Sequence, residues 1–145
     1  MDPPHHARDE RDPVLHLREV VPGDPAGVMA LRDRLHDLAS RAGFGERAND
    51  VTLAMAELIA NAQEHGGPPI EVEAWGDGRL VMEVRDSGGG LDHREVYRRH
   101  PPSPHDHRGR GLWIVRQLMD VVVVRSGDDG TVIHVELSPE PHLGA

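Results

Sequence analysis

Glu57, Asn61, Glu64 and His65 share one short stretch, AELIANAQEHGG at residues 56–67. Two carboxylates, a carboxamide and an imidazole so close in sequence can move a proton or give oxygen to a hard cation. Asn lowers helix stability in such a position, where Ala would serve better. The plain alternative is a solvated helix face, yet Glu, Lys or Gln suits such a face better than Asn. A second stretch, DSGGGLD at residues 86–92, sets three glycines behind an acid. That exceeds what a simple turn needs and lets backbone approach a ligand closely. It is not a dinucleotide-binding loop, because the third glycine of that pattern is replaced here by His93. In a third stretch, RGRGLW at residues 108–113, glycines stand before a helix. Helix N-termini of this kind attract anions, and Arg108 and Arg110 add positive charge; an ordinary helix start is the alternative.

The histidines carry less. His105 and His107 flank Asp106, but no further ligand spacing supports a metal site there. His5 and His6 belong to a polar tail, and the other histidines, His134 among them, form no usable pattern.

The elements that must position these residues follow from the hydrophobic periods. VLHLREV at residues 14–20 alternates as a half-buried strand. PGDPAG then breaks the chain, with Asp24 as N-cap and Pro25 as first helical residue. Val28, Leu31, Leu35, Leu38 and Ala42 recur at helical spacing until Gly43 and Gly45 end the run. A second helix begins near residues 46–49 and runs to His65, where Gly66-Gly67-Pro68-Pro69 stops it. Its core stripe of Val51, Met55, Leu58, Ile59 and Ala62 spans an arc of about 100° on a helical wheel. Glu57, Asn61, Glu64 and His65 form a contiguous polar edge beside that stripe.

The period then changes to two. Ile70, Val72 and Ala74 alternate with Glu71, Glu73 and Trp75, Gly76-Asp77-Gly78 turns, and Leu80, Met82 and Val84 return. Residues 92–99 can form a short helix, and HPPSPHDHRGRG is a loop. Gly111 opens a third helix, with Ile114, Val115, Leu118 and Met119 as its buried stripe. VVVVRS and TVIHVEL make a last hairpin around residues 127–130. The order β-α-α-β-β-loop-α-β-β, without regular βαβ alternation, predicts an α+β two-layer sandwich: a mixed or antiparallel sheet with helices on one face.

Composition narrows the chemistry. The 145 residues suit one domain, and 37% hydrophobic with 28% charged residues fits a globular chain rather than a disordered one. The expected division is a tail at 1–12, a domain at 13–138 and a tail at 139–145. Without cysteine there is no disulfide and no thiolate metal site. All 16 basic residues are Arg. That removes P-loop NTPases, protein kinases with a strand Lys, and Schiff-base enzymes, each of which needs a lysine. A net charge of −9 makes nucleic acid a poor partner. VVVV is the longest aliphatic run, and the N-terminus has no apolar h-region, so a cytoplasmic protein with neither membrane span nor secretory signal is expected.

In chain order the sequence shows E-x-x-x-N on a helix, D-x-G-x-G after a strand, and G-x-G at a helix start. This conjunction resembles the GHKL (Bergerat-fold) ATP-binding superfamily over roughly residues 14–137. Glu57 and Asn61 match its N box, Asp86, Gly88 and Gly90 its first glycine box, and Gly109 and Gly111 its second. NAQEHGG, VRDSGGGLD and the stretch from Gly109 to Leu137 look most like the small bacterial anti-sigma-factor serine/threonine kinases. The resemblance implies a Bergerat fold with a short ATP lid, and ATP and Mg²⁺ as cofactors. It implies that Asp86 accepts a hydrogen bond from the adenine amino group, and that Asn61 gives Mg²⁺ one oxygen. Glu57 faces the γ-phosphate as general base or orienter of the attacking hydroxyl. Gly109, Gly111 and the following N–H groups, that of Leu112 first, hold phosphates, with Arg108 or Arg110 countering their charge. The implied partners are an anti-anti-sigma (STAS-type) protein as phosphoryl acceptor and a sigma factor, with a homodimer as the assembly. Glu64 and His65 have no assigned role.

Other readings compete. In one, nucleotide only sets the shape of the lid, with little turnover. In another, the chain is the catalytic domain of a histidine kinase, which would need dimerising, phospho-accepting helices not expected here. A gyrase- or chaperone-like ATPase would need a following transducer domain with its own lysine.

Overall fold

The computed structural model describes residues 15–76, 78–88 and 110–139, Arg110 by its backbone alone. Strand β1 (Leu15–Val20) alternates half-buried with exposed side chains. Helix α1 (Pro25–Ala39) is capped as expected: the Asp24 carboxylate accepts from the Gly27 N–H at 3.0 Å. Pro25 opens the helix where no N–H is needed. Two short helical turns, at 40–44 and 45–47, redirect the chain, with Gly43 at φ 96°. Helix α2 (Ala48–His65) follows, then β2 (Glu71–Gly76) and β3 (Leu80–Asp86). Helix α3 (Arg110–Leu118) leads into the hairpin of β4 (Val121–Gly127) and β5 (Gly130–Leu137).

The five strands lie in the order β1-β2-β3-β5-β4, and every neighbouring pair is antiparallel. The β2–β3 and β4–β5 pairs are hairpins, and α1 and α2 lie between β1 and β2. The chain passes from β3 through α3 to β4 running in the same sense as β3, and the β4–β5 hairpin then reverses it. The α+β class expected from the sequence is therefore realised with an antiparallel sheet. Each central strand turns one face inward: Val72 and Ala74, then Leu80, Met82 and Val84, then Ile133, Val135 and Leu137. Against them pack Leu31, Leu35 and Leu38 of α1 and the whole α2 stripe of Val51, Met55, Leu58, Ile59 and Ala62. At about 1.5–3 kcal/mol for each large aliphatic side chain buried, this stripe fixes the rotation of α2 about its axis. It therefore fixes where Glu57 and Asn61 point.

Helix α3 departs from the expected stripe. Leu112, Val115 and Met119 are the fully buried set, while Ile114 and Leu118 are half-buried. Spacings of three and four put Leu112, Val115 and Met119 in line, and the other two flank that line. The expected tails fall mostly outside the described residues, as do Asp77 of the turn and the segment 89–109. Among the described residues, no helix is long and apolar enough to cross a membrane.

The face of the sheet turned away from the core is built from charge. His134 Nδ1 lies 2.8 Å from a Glu83 oxygen, and Nε2 lies 2.7 Å from a Glu136 oxygen. Arg79 pairs with Glu136 at 2.6 Å, Arg85 with Glu83, and His16 with Glu73 at 2.7 Å. Burial works to lower the His134 pKa, but hydrogen bonds to Glu136 and Glu83 outweigh it, so the imidazole titrates above its ordinary 6.5. Burial would raise Glu83, but His134 and Arg85 outweigh it and hold that carboxyl low. Glu136 is held low by His134 and Arg79.

The unfolded chain gives up the His134 proton first as pH rises. The stabilisation is therefore full below 6.5 and is lost as pH climbs through the higher folded value. Across that interval the thermal midpoint of the wild type is expected to fall. His134→Gln, which keeps polar atoms there but does not titrate, should lack this component. Identical slopes of midpoint against pH in the two proteins would remove His134 from the explanation.

Candidate functional site

Helix α2 supplies the first half of the site. With its apolar stripe in the core, Glu57 comes to a half-buried position, and Asn61, one turn on, is 8% exposed. The polar edge expected from the sequence is thus graded: Glu64 is exposed at its far end and His65 is largely covered. Asn61 is deeper than a solvated face would allow, and its Nδ2 has no hydrogen-bond partner among the described residues. An unpaired buried amide costs about 1–3 kcal/mol. Such a group calls for a polar ligand.

Strand β3 supplies the second half. Asp86 ends the strand on its inward side, and its Oδ1 accepts from the Gly88 N–H at 2.8 Å. No other side-chain hydrogen bond of Asp86 occurs among the described residues. Glycines close around it. A Cβ on Gly66 would lie 2.3 Å from the Asp86 carboxyl carbon, and one on Gly88 would lie 2.3 Å from Gly66 Cα. A Cβ on Gly130, at φ 130°, would lie 2.0 Å from the Asp86 carbonyl oxygen. The Ser87 N–H donates to the Gly67 carbonyl at 2.9 Å, fastening the end of α2 to the end of β3.

Three residues here have roles that sequence reasoning missed. Gly66 and Gly67 read as a helix stop, yet Gly66 forms the wall against which the Asp86 carboxylate stands, and Gly67 gives its carbonyl to Ser87. Thr131 read as part of a hairpin strand. It lies directly across from Asp86 in the β3–β5 register, 3% exposed, with its hydroxyl 2.9 Å from that of Ser126. The available signal was a lone hydroxyl at the head of an inward row of Ile133, Val135 and Leu137.

Helix α3 closes the other end. Its second residue, Gly111, comes against Glu57: a Cβ there would meet Glu57 Oε2 at 3.0 Å. Leu112 buries its side chain in the core at 1% exposure, which leaves only its backbone N–H for a ligand. Gly90, Arg108 and Gly109 lie outside the described residues, as does the Arg110 side chain. His65 sits 3.9 Å from Glu64, and neither touches Asp86, Asn61 or Glu57 through a described hydrogen bond.

The arrangement has two poles along α2. Glu57 and Gly66 are nine residues apart in sequence, or about 14 Å along the helix axis. One pole offers a carboxylate acceptor among bare backbone; the other offers a carboxylate and a carboxamide. No group of three or more His, Cys, Asp or Glu among the described residues could hold a metal unaided. A cation that draws most of its ligands from phosphates and water suits such a donor set, and Mg²⁺ is such a cation.

Comparison with known proteins gives the same architecture. A family model described as histidine kinase-like ATPase domain matches residues 21–137. The DNA mismatch repair protein MutL of Chlamydia abortus is 28% identical over 129 residues, covering 73% of this chain and 22% of that protein. MutL of Rhizobium leguminosarum is 34% identical over 64 residues, covering 44% of this chain and 11% of that protein. The chain therefore spans about a fifth or less of the length of these curated relatives. Among solved structures, the RsbU and RsbW domains of a Mycobacterium tuberculosis protein match with TM-score 0.58 at 19% identity, covering 88% of this chain and 33% of that one. The histidine kinase domain of a blue-light-activated kinase from Erythrobacter litoralis matches with TM-score 0.51 at 19% identity, covering 74% and 64%.

Proposed function

The chain belongs to the histidine kinase-like ATPase domain family, and from that premise we propose that it is a Mg-ATP-dependent protein serine/threonine kinase of the anti-sigma-factor type. Its acceptor would be a serine or threonine on a small anti-anti-sigma (STAS-type) protein, and its output a change in sigma-factor availability. The observation that carries this reading is the pairing of Glu57 and Asn61, one helical turn apart on the C-terminal half of α2, in line with Asp86 and its glycines beyond the end of that helix. The fold likeness to an RsbW domain supports it.

When bound, ATP supplies the phosphoryl group and Mg²⁺ offsets the charge of its oxygens. Asp86, with one oxygen committed to Gly88, offers the other to the amino group of adenine. Thr131, beside it, adds a hydroxyl to the same edge. The bare backbone of Gly66 and Gly88 lets the end of α2 and the end of β3 close together and sets the Asp86 carboxylate in place. Asn61 gives its carboxamide to the cation and the phosphates, which satisfies the unpaired Nδ2. Glu57 accepts the proton of the attacking hydroxyl. The N–H groups of Gly111 and Leu112 would hold the phosphates, and by the family resemblance Gly109 would join them, with Arg108 or Arg110 as countercharge.

Incubation with γ-labelled ATP, Mg²⁺ and candidate STAS-type proteins tests the proposal. Label is expected on a serine or threonine of the partner. Tight nucleotide binding without transfer to any such partner would instead make the chain a nucleotide-gated binding module.

A further inference from the structure

The proposed transfer requires the Glu57 carboxylate at one place, and we infer that Gly111 is the positioning residue that keeps it there. The absent side chain at position 111 is the seat of the base. This rests on the kinase reading above and adds a role for Gly111 distinct from phosphate contact.

Three observations carry it. First, the backbone at 111 does not require glycine: the residue lies inside α3 and shows no left-handed φ, and alanine is the better helix former. Second, the space beside it belongs to one neighbour. A Cβ there would meet Glu57 Oε2 at 3.0 Å, Glu57 Cβ at 3.5 Å and the Glu57 carbonyl oxygen at 3.5 Å. The latter two are ordinary contacts, so a methyl group fits the spacing of the two helices. Only the carboxylate must yield, and it is the free end of a flexible side chain. Third, Glu57 has no hydrogen-bond or ion-pair partner among the described residues, so no described polar contact holds the carboxylate and the bare surface of α3 is the wall against which it stands.

Position 111 thus differs from 66 and 130. There a Cβ would fall 2.7 Å from the Ala62 backbone oxygen and 2.0 Å from the Asp86 backbone oxygen, overlaps that force backbone to shift. At 111 the fold tolerates a methyl and only the base moves. A contact of 3.0 Å asks the carboxylate to yield by only a fraction of an ångström, so the expected loss is smaller than the roughly 10²-fold that a misplacement of about 1 Å can cost.

Gly111→Ala is the test. Because Gly111 also belongs to the proposed phosphate-contacting backbone, Mg-ATP affinity is titrated separately. At saturating Mg-ATP, kcat for transfer is expected to fall about 3- to 10-fold, with thermal stability equal to or above that of the wild type. In a Glu57→Gln background the same substitution should cost nothing more, because no base remains to be displaced. Without any turnover, the side-chain carboxyl ¹³C resonance of Glu57 should shift in Gly111→Ala. An unchanged resonance, an unchanged kcat, or ATP affinity falling in step with rate in both backgrounds would overturn the inference. So would a loss of stability, since it would make position 111 a packing site. If the wild type transfers no phosphate, the kinase reading itself fails; if Glu57→Gln transfers as fast as the wild type, Glu57 is not the base; if Glu57→Gln is inactive and Gly111→Ala is not, only the role of Gly111 fails.

Discussion

Glu57→Gln is expected to keep Mg-ATP affinity within about twofold and to lower phosphoryl transfer by about 10²–10⁴-fold. The amide has nearly the volume of the carboxylate, so the half-buried seat beside Gly111 is kept. What is lost is the ability to take a proton from the attacking hydroxyl. Phosphoryl transfer otherwise depends on placement and charge stabilisation, which Gln leaves intact. A steady-state assay with labelled ATP and the acceptor protein, run beside an equilibrium titration, separates the two quantities. Equal losses in binding and rate would mean that Glu57 holds the nucleotide rather than activating the acceptor.

Asp86→Asn is expected to weaken ATP binding by roughly 10- to 100-fold, the worth of one hydrogen bond to a charged group. The direction follows from the local geometry. Asp86 Oδ1 accepts from the Gly88 N–H at 2.8 Å, and an Asn at this position keeps that bond only with its oxygen. Its NH₂ is then turned toward the ligand, where it meets the adenine amino group donor to donor. Inosine triphosphate carries an oxygen in place of that amino group, so the variant should lose its preference for ATP over ITP. The substitution removes one carboxylate at the end of a strand whose inward side chains remain buried, so thermal stability should change little.

The helices and hairpins were legible because each is written in a local period. Asp24 and Pro25 announce the start of α1, and Val51 to Ala62 set the rotation of α2. Glu57 and Asn61 could be read together because residues four apart share a helix face. Other parts are tertiary and left no local mark. Gly66 looks like any helix stop until β3 is laid beside it and the Asp86 carboxylate fills the space a side chain would occupy. Thr131 matters because the β3–β5 register sets it across from Asp86. His134 belonged to no sequence pattern, yet pairing of β3 with β5 sets it between Glu83 and Glu136. In α3 the helical period alone did not rank Ile114 and Leu118 against Leu112; packing against α2 did.

Selective ATP binding requires adenine to be recognised at Asp86, beyond the C-terminal end of the helix that carries Asn61 and Glu57. Equilibrium titration of the wild type and of Asp86→Asn with Mg-ATP and Mg-ITP measures this directly. The wild type should bind ATP about 10-fold or more tightly than ITP, and Asp86→Asn should abolish that difference by weakening ATP. Equal ATP affinity in the two proteins, or no discrimination between ATP and ITP by the wild type, would contradict the site.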